Sequence, residues 1–257
     1  MHWNVDPVLL KIGPIQIHWY GLLFATGLLG AYYIAEWMFK KEGKDTKLLE
    51  PLFLYIIIGL IIGARLAHVL FYDFDYYISH PIEILEIWKG GLASHGGFLG
   101  VIIALWLFSK KYNFSFSWLL SRGSIVAMLV ATFIRIGNFF NSEIVGIKTN
   151  SSFGVIFDRV DSYPRHPVVL YEALSYFIIF LILLYLYKKM SYDKFTRLGF
   201  GLVLVLGFGA RVFLEQFKTT QSEFASYLPL TMGQMLSIPF IIIGIILILK
   251  GLRVSTK

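Results

Sequence analysis

Cysteine is absent from all 257 residues, which excludes disulfides, thiolate metal sites and a cysteine nucleophile supplied by the chain itself. Any thiol in its chemistry must come from a substrate. Charge is scarce as well: Asp, Glu, Lys and Arg make up 15% of the chain, against 57% hydrophobic and 17% aromatic residues, far from the balance of a soluble domain. The N-terminal MHWNVDPVLLKIGPIQIHWY lacks a basic region followed by an apolar core and a small-residue cleavage site, so a removable signal peptide is not expected. No second histidine stands at metal-ligand spacing from His95, since His68, His80 and His166 are scattered and HExxH is missing; no metal site and no nucleotide fingerprint is indicated. Without an internal repeat, heptad array or low-complexity tract, a single transmembrane domain over residues 1–257 is expected.

What the chain does have is long apolar runs. A membrane-spanning helix needs about 20 apolar residues, and seven stretches meet that rule, at 17–39, 51–71, 92–109, 118–137, 167–187, 198–217 and 233–250. The expected fold is an all-α polytopic membrane protein with seven transmembrane helices. The formal net charge of +7 does not point to nucleic acid as a partner, because the basic residues fall in blocks between the runs. Lys40, Lys41, Lys44 and Lys47 follow the first span, Lys110 and Lys111 the third, Lys188, Lys189, Lys194 and Arg197 the fifth, and Lys250, Arg253 and Lys257 the last. By the positive-inside rule these loops face the cytoplasm, which places the N-terminus outside and the C-terminus inside. The opposite loops carry Asp73, Asp75, Glu83, Glu86, Asp158 and Asp161. Two outer segments exceed a turn: 72–91, whose HPIEILEIWKGG suits an amphipathic surface helix, and 138–166, expected as a small extracytoplasmic cap.

Placing the polar groups by depth concentrates them in the outer half of the bilayer. Arg65 lies near the outward end of the second span, Arg135 of the fourth, and Arg211 and Glu215 of the sixth. Tyr20 opens the first span, His95 the third, and Tyr171 and Glu172 the fifth. An arginine at bilayer centre costs roughly 2.5–3.5 kcal/mol on insertion scales, less near the interface. Each arginine alone reads equally as a snorkelling anchor, and Arg211 and Glu215 have the spacing of an internal ion pair. Shared depth and embedding in apolar sequence, GLIIGARLAHVLF and VLGFGARVFLEQF, instead suggest one cavity. The densest polar stretch is ATFIRIGNFFNSEIVG, Ala131 to Gly146, where Arg135 and Asn138 share a helical face and Gly137 permits close packing or a kink. It reads as a site for an anionic, partly lipid-bound group. His95, in GGLASHGGFLG, is either a satisfied polar residue or a base, imidazole being suited to accept a proton near neutral pH; Gly96 and Gly97 would let a ligand approach. Ser94 and His95 point about 100 degrees apart on a helix and form no dyad.

Taken in order, HWYGLLFATG, GARLAHVLFYD, GGLASHGGFLG, RIGNFFNSEIVG, HPVVLYEA and GARVFLEQF resemble bacterial prolipoprotein diacylglyceryl transferases across essentially the whole chain. The resemblance implies a multi-pass enzyme of the bacterial cytoplasmic membrane. Such an enzyme transfers the diacylglyceryl group of phosphatidylglycerol to the lipobox cysteine thiol in the signal peptide of a preprolipoprotein, releasing glycerol 1-phosphate, with no cofactor. It also implies functional roles at Tyr20, His95, Arg135, Asn138, Glu143, Gly146, Arg211 and Glu215; Arg65 joins the substrate-binding candidates from its depth alone. In the expected mechanism His95, or Tyr20 in competition with it, takes the thiol proton, and Arg135 and Arg211 hold the phosphate. Asn138 and Glu143 bind the head glycerol or orient an arginine, and Gly146 lets the cap close. The main rival reading is a transporter of an anionic solute, which would need polar residues through the inner half; the fourth span is bare from Ile125 to Ile134 apart from Thr132.

Overall fold

A computed structural model describes residues 1–219 and 230–253. In chain order the elements are β1 (His2–Trp3), β2 (Val8–Ile12), β3 (Ile15–His18), α1 (Trp19–Lys41), α2 (Leu49–Phe71), α3 (Phe74–Ser79), α4 (Ser94–Lys111), α5 (Phe116–Phe140), β4 (Val155–Phe157), β5 (Pro164–Arg165), α6 (Val168–Lys189), α7 (Tyr192–Leu214) and α8 (Met232–Arg253). Short 3-10 turns lie at Thr46–Leu48, Pro81–Leu85, Ile87–Lys89 and Glu215–Phe217.

The molecule is mostly helical, and six helices are long and apolar enough to cross a membrane: Trp19–Lys41, Thr46–Phe71, Phe116–Phe140, Val168–Lys189, Tyr192–Phe217 and Gly233–Arg253. They coincide with six of the expected spans. The stretch expected at 92–109 forms α4, of only 18 residues, and is not among the six; Ser94, His95, three glycines and two terminal lysines leave it a short apolar window. The all-α expectation is also corrected, because two small sheets form outside the spans. One pairs β1 parallel with β4, and β4 antiparallel with β5; the other is the β2–β3 hairpin. Hydropathy counting does not register such strands, but backbone amides beyond the helices still need partners.

The described chain divides into two compact units, one of Met1–Ala35 with Ser121 onward, the other of Glu36–Leu120. In the second unit α2 and α4 pack backbone to backbone. Gly59 and Gly63 face Gly96 and Gly100, and a Cβ on Gly63 would strike the Gly96 carbonyl while one on Gly100 would strike that of Gly59. Small residues four apart on both helices permit this approach. Gly96 and Gly97, which the sequence left open to a ligand, are thus filled by Gly63, Ala67 and Leu60 of α2. A recess of about 320 Å³ lined by Trp106, Ser109, Lys110, Asn113, Phe114 and Phe116 lies at the far end of α4 from His95. The expected amphipathic helix at HPIEILEIWKGG is replaced by 3-10 turns. Arg65, buried in α2, explains the difference by drawing off carbonyls that a regular helix would use. It donates to the carbonyl oxygens of Glu83 (2.5 Å), Ile84 (2.9 Å), Gly90 (2.8 Å) and Gly91 (3.2 Å), with Tyr77 4.9 Å from its guanidinium.

The first unit holds α6, α7 and α8 together with most of α1 and α5. Gly201 and Gly244 bring α7 and α8 into close contact, and Gly27 and Gly30 of α1 meet Phe133 and Leu129 of α5. The segment 138–166 folds onto the N-terminus: the Trp3 ring of β1 lies tilted against Phe139 at 4.3 Å and donates its indole N–H to the Phe139 carbonyl at 3.1 Å. Beneath it Phe139, Val155, Phe157 and Val169 form a buried cluster.

Candidate functional site

α5 leaves its last turn with Arg135 and Asn138 on one face, and the chain then reverses through Ser142 and Ile144, both in the left-handed region (φ 56° and 53°). That reversal returns Glu143 to the helix it has just left. Its N–H donates to the Asn138 carbonyl at 3.0 Å, and its carboxylate accepts from the side-chain amides of Asn138 at 2.7 Å and Asn141 at 3.1 Å. Arg135 Nη1 donates to Asn138 Oδ1 at 3.2 Å. A chain of polar contacts therefore runs Arg135, Asn138, Glu143, Asn141 across the end of one helix. Tyr20, at the start of α1, lies within electrostatic reach of Glu143 and Arg135. Gly137 makes that possible, since a Cβ there would stand 2.8 Å from the Tyr20 ring.

The hub beneath this chain is Glu172 of α6, fully buried at 0% exposure. Arg135 Nε stands 2.9 Å from one of its carboxylate oxygens and Lys218 Nζ 2.8 Å from the other. A carboxylate withdrawn from water in this way needs opposite charge and good geometry to be tolerated, and two cations from separate elements supply it. Lys218 also reaches Glu215 at 3.1 Å. The Arg211–Glu215 ion pair suggested by spacing therefore does not form among the described residues: α7 gives way to a 3-10 turn at Glu215–Phe217, which turns Glu215 toward Lys218 and against Gly233 of α8.

Among the described residues Arg211 is left without a counter-ion. It makes no ion pair or hydrogen bond among the described residues, and its Nε is buried without a partner. Tyr176 of α6 lies within electrostatic reach of both Arg211 and Arg135, so the two guanidinium groups approach one tyrosine. An unpaired guanidinium beside a compensated one is suited to an incoming anion, above all one that accepts hydrogen bonds on several oxygens.

Gly146 joins the segment after α5 to the residues just before α6. Its N–H donates to the His166 carbonyl at 3.0 Å, its carbonyl accepts from Arg165 Nη1 at 2.9 Å, and it bridges Lys218 as an isolated strand pair. A Cβ would collide with the His166 carbonyl and with Val168. Arg165 also clasps Asp161 through Nε and Nη2, which holds the Asp161 carboxyl below its usual range.

Of the residues singled out from sequence, Tyr20, Arg135, Asn138, Glu143, Gly146, Arg211 and Glu215 all lie in the first unit around α5, α6 and α7. His95 and Arg65 belong to the second. His95 is exposed in the first turn of α4, and the donors of Arg65 are taken up by backbone carbonyls. Glu172 and Lys218 were not among the expected site residues. Glu172 was visible only as a carboxylate opening a span, and no local spacing pairs either residue with Arg135.

A family model described as prolipoprotein diacylglyceryl transferase matches residues 7–250. Among curated relatives, a phosphatidylglycerol–prolipoprotein diacylglyceryl transferase of Tolumonas auensis is 50% identical over 258 residues, covering 100% of both chains. Proteins of the same name from Chloroherpeton thalassium and Bacteroides fragilis are 46% and 43% identical, covering 98% and 95% of this chain and 94% and 93% of their own.

Proposed function

The chain belongs to the prolipoprotein diacylglyceryl transferase family, and from that premise we infer that it moves the diacylglyceryl group of phosphatidylglycerol onto the lipobox cysteine thiol of a preprolipoprotein. It is a multi-pass membrane transferase. We assign it to the bacterial cytoplasmic membrane, with α4 as a seventh span, the N-terminus outside and the C-terminus in the cytoplasm. The observation that carries the reading is Arg211, which has no counter-ion among the described residues and acts with Arg135 on the same tyrosine, Tyr176.

The reaction needs three things. A cysteine thiol with an ordinary pKa of about 8.5 is mostly protonated at neutral pH, so a base must take its proton; His95 is the assigned base, on the chemistry of imidazole and the family resemblance. The thiolate then attacks the glyceryl carbon bearing the phosphate. A carbon–sulfur bond forms, the carbon–oxygen bond to phosphate breaks, and glycerol 1-phosphate departs with the electron pair. Arg211 and Arg135 receive the charge that gathers on its oxygens, stabilisation worth most in a site closed to water. Glu172 and Lys218 keep Arg135 in place, while Glu143, steadied by Asn138 and Asn141, accepts hydrogen bonds from the hydroxyls of the head glycerol. Tyr20 donates to a headgroup oxygen.

Incubating the purified protein with phosphatidylglycerol labelled in its acyl chains and a lipobox peptide tests this. Labelled thioether-linked peptide is expected, and none when serine replaces the lipobox cysteine. Vesicle uptake of an anionic solute without that product would favour transport, a reading the comparisons do not favour; the hydroxyl of Thr132 is spent on the Met128 carbonyl of its own helix.

A further inference from the structure

The β2–β3 hairpin is amphipathic and exposed except at Val8, which is half-buried. Its register pairs Leu10 with Ile17, Lys11 with Gln16 and Ile12 with Ile15. Cross-strand partners share a face and successive pairs alternate, so Leu10, Ile12, Ile15 and Ile17 form one apolar face and Lys11 and Gln16 lie on the other. All four aliphatics are between 37% and 63% exposed. The base of the hairpin is fixed to the first span: the Trp19 N–H, opening α1, donates to the Pro7 carbonyl at 3.0 Å, and Trp19 stacks on Phe140 at 4.8 Å. Gly13, left-handed at φ 59°, turns the tip.

We propose that this hairpin is a membrane-surface anchor, lying along the lipid–water interface with Leu10, Ile12, Ile15 and Ile17 in the headgroup–acyl boundary and Lys11 and Gln16 toward water. Its continuity with α1 selects lipid as the occupant, because the strands begin where the span ends and have no linker in which to swing away. The open edges limit its depth. Among the described residues β2 and β3 pair only with each other, so each leaves unpaired backbone groups that hydrocarbon could not satisfy. Interfacial elements bury their apolar face by roughly 5–10 Å, a depth that keeps those edges among polar headgroups. The proposal rests on the multi-pass character of the chain and stands independently of the transferase reading.

A chain without cysteine permits a clean test. Full-length protein carrying Leu10→Cys, Lys11→Cys, Ile15→Cys or Gln16→Cys is labelled with an environment-sensitive fluorophore and placed in vesicles of phosphatidylcholine and phosphatidylglycerol. Labels at 10 and 15 are expected to be quenched by aqueous iodide several-fold less than those at 11 and 16, and to be quenched more by a nitroxide high on the acyl chain than by one near its end. Equal iodide access at all four positions would overturn the proposal. So would stronger quenching by the deep nitroxide, or shielding that appears only with an added apolar peptide or only at high protein density, outcomes that assign the face to a peptide or to a second copy.

Discussion

Glu172 has no water to share its charge, and its two cations come from α5 and from the turn after α7. Removing one partner of a buried ion pair typically costs about 3–5 kcal/mol, chiefly because the other charge is left uncompensated. Glu172→Ala is therefore expected to lower thermal stability in detergent as well as transfer. Glu172→Gln, which keeps the shape and can accept hydrogen bonds, should retain more of the fold while losing turnover. Melting curves run beside initial rates would separate the two effects. Lys218→Met should act in the same direction more mildly, since Arg135 still compensates the carboxylate. The local part of this network was legible: Arg135, Asn138 and Glu143 sit within a few residues, and helical spacing places the first two together. Its long-range part was not, because nothing in the order of residues shows that Lys218 crosses to Glu172, or that Glu215 turns from Arg211 to Lys218.

Among elements, the spans were the readable part, since α1, α2, α5, α6, α7 and α8 each announce themselves by uninterrupted apolar length. The pieces outside the spans were not: β1 pairs with β4 across most of the chain, and residues 80–91 take the form that Arg65 imposes on them. Two predictions belong here. Gly146→Val should drive the cap strand off the His166 carbonyl and Val168, seen as faster amide exchange in residues 144–166 and reduced transfer. The Asp161–Arg165 clasp should make the cap sensitive to acid. Its hydrogen bonds to Arg165 depress the Asp161 pKa below the ordinary 3.8, so the stabilisation is complete above that value and is lost as pH falls through the lower, folded-state pKa. Limited proteolysis across acidic pH should show the cap opening only at the acid end, and Asp161→Asn should remove that dependence.

In the molecule as a whole, a membrane-embedded first unit whose cations gather around α6 serves a reaction in which a lipid phosphate leaves with its charge. A residue that only anchored the protein at the interface would leave turnover almost untouched when replaced. One that takes the leaving phosphate should cost on the order of 10²–10³ in turnover, as loss of a single charge-stabilising donor does elsewhere. The decisive measurement is the dependence of transfer rate on phosphatidylglycerol concentration in mixed micelles for wild type, Arg211→Lys and Arg211→Ala, with melting temperature as the control for folding. The account predicts that Arg211→Ala keeps its fold yet loses turnover and lipid affinity together, with Arg211→Lys in between. Wild-type kinetics in a folded Arg211→Ala protein would contradict it.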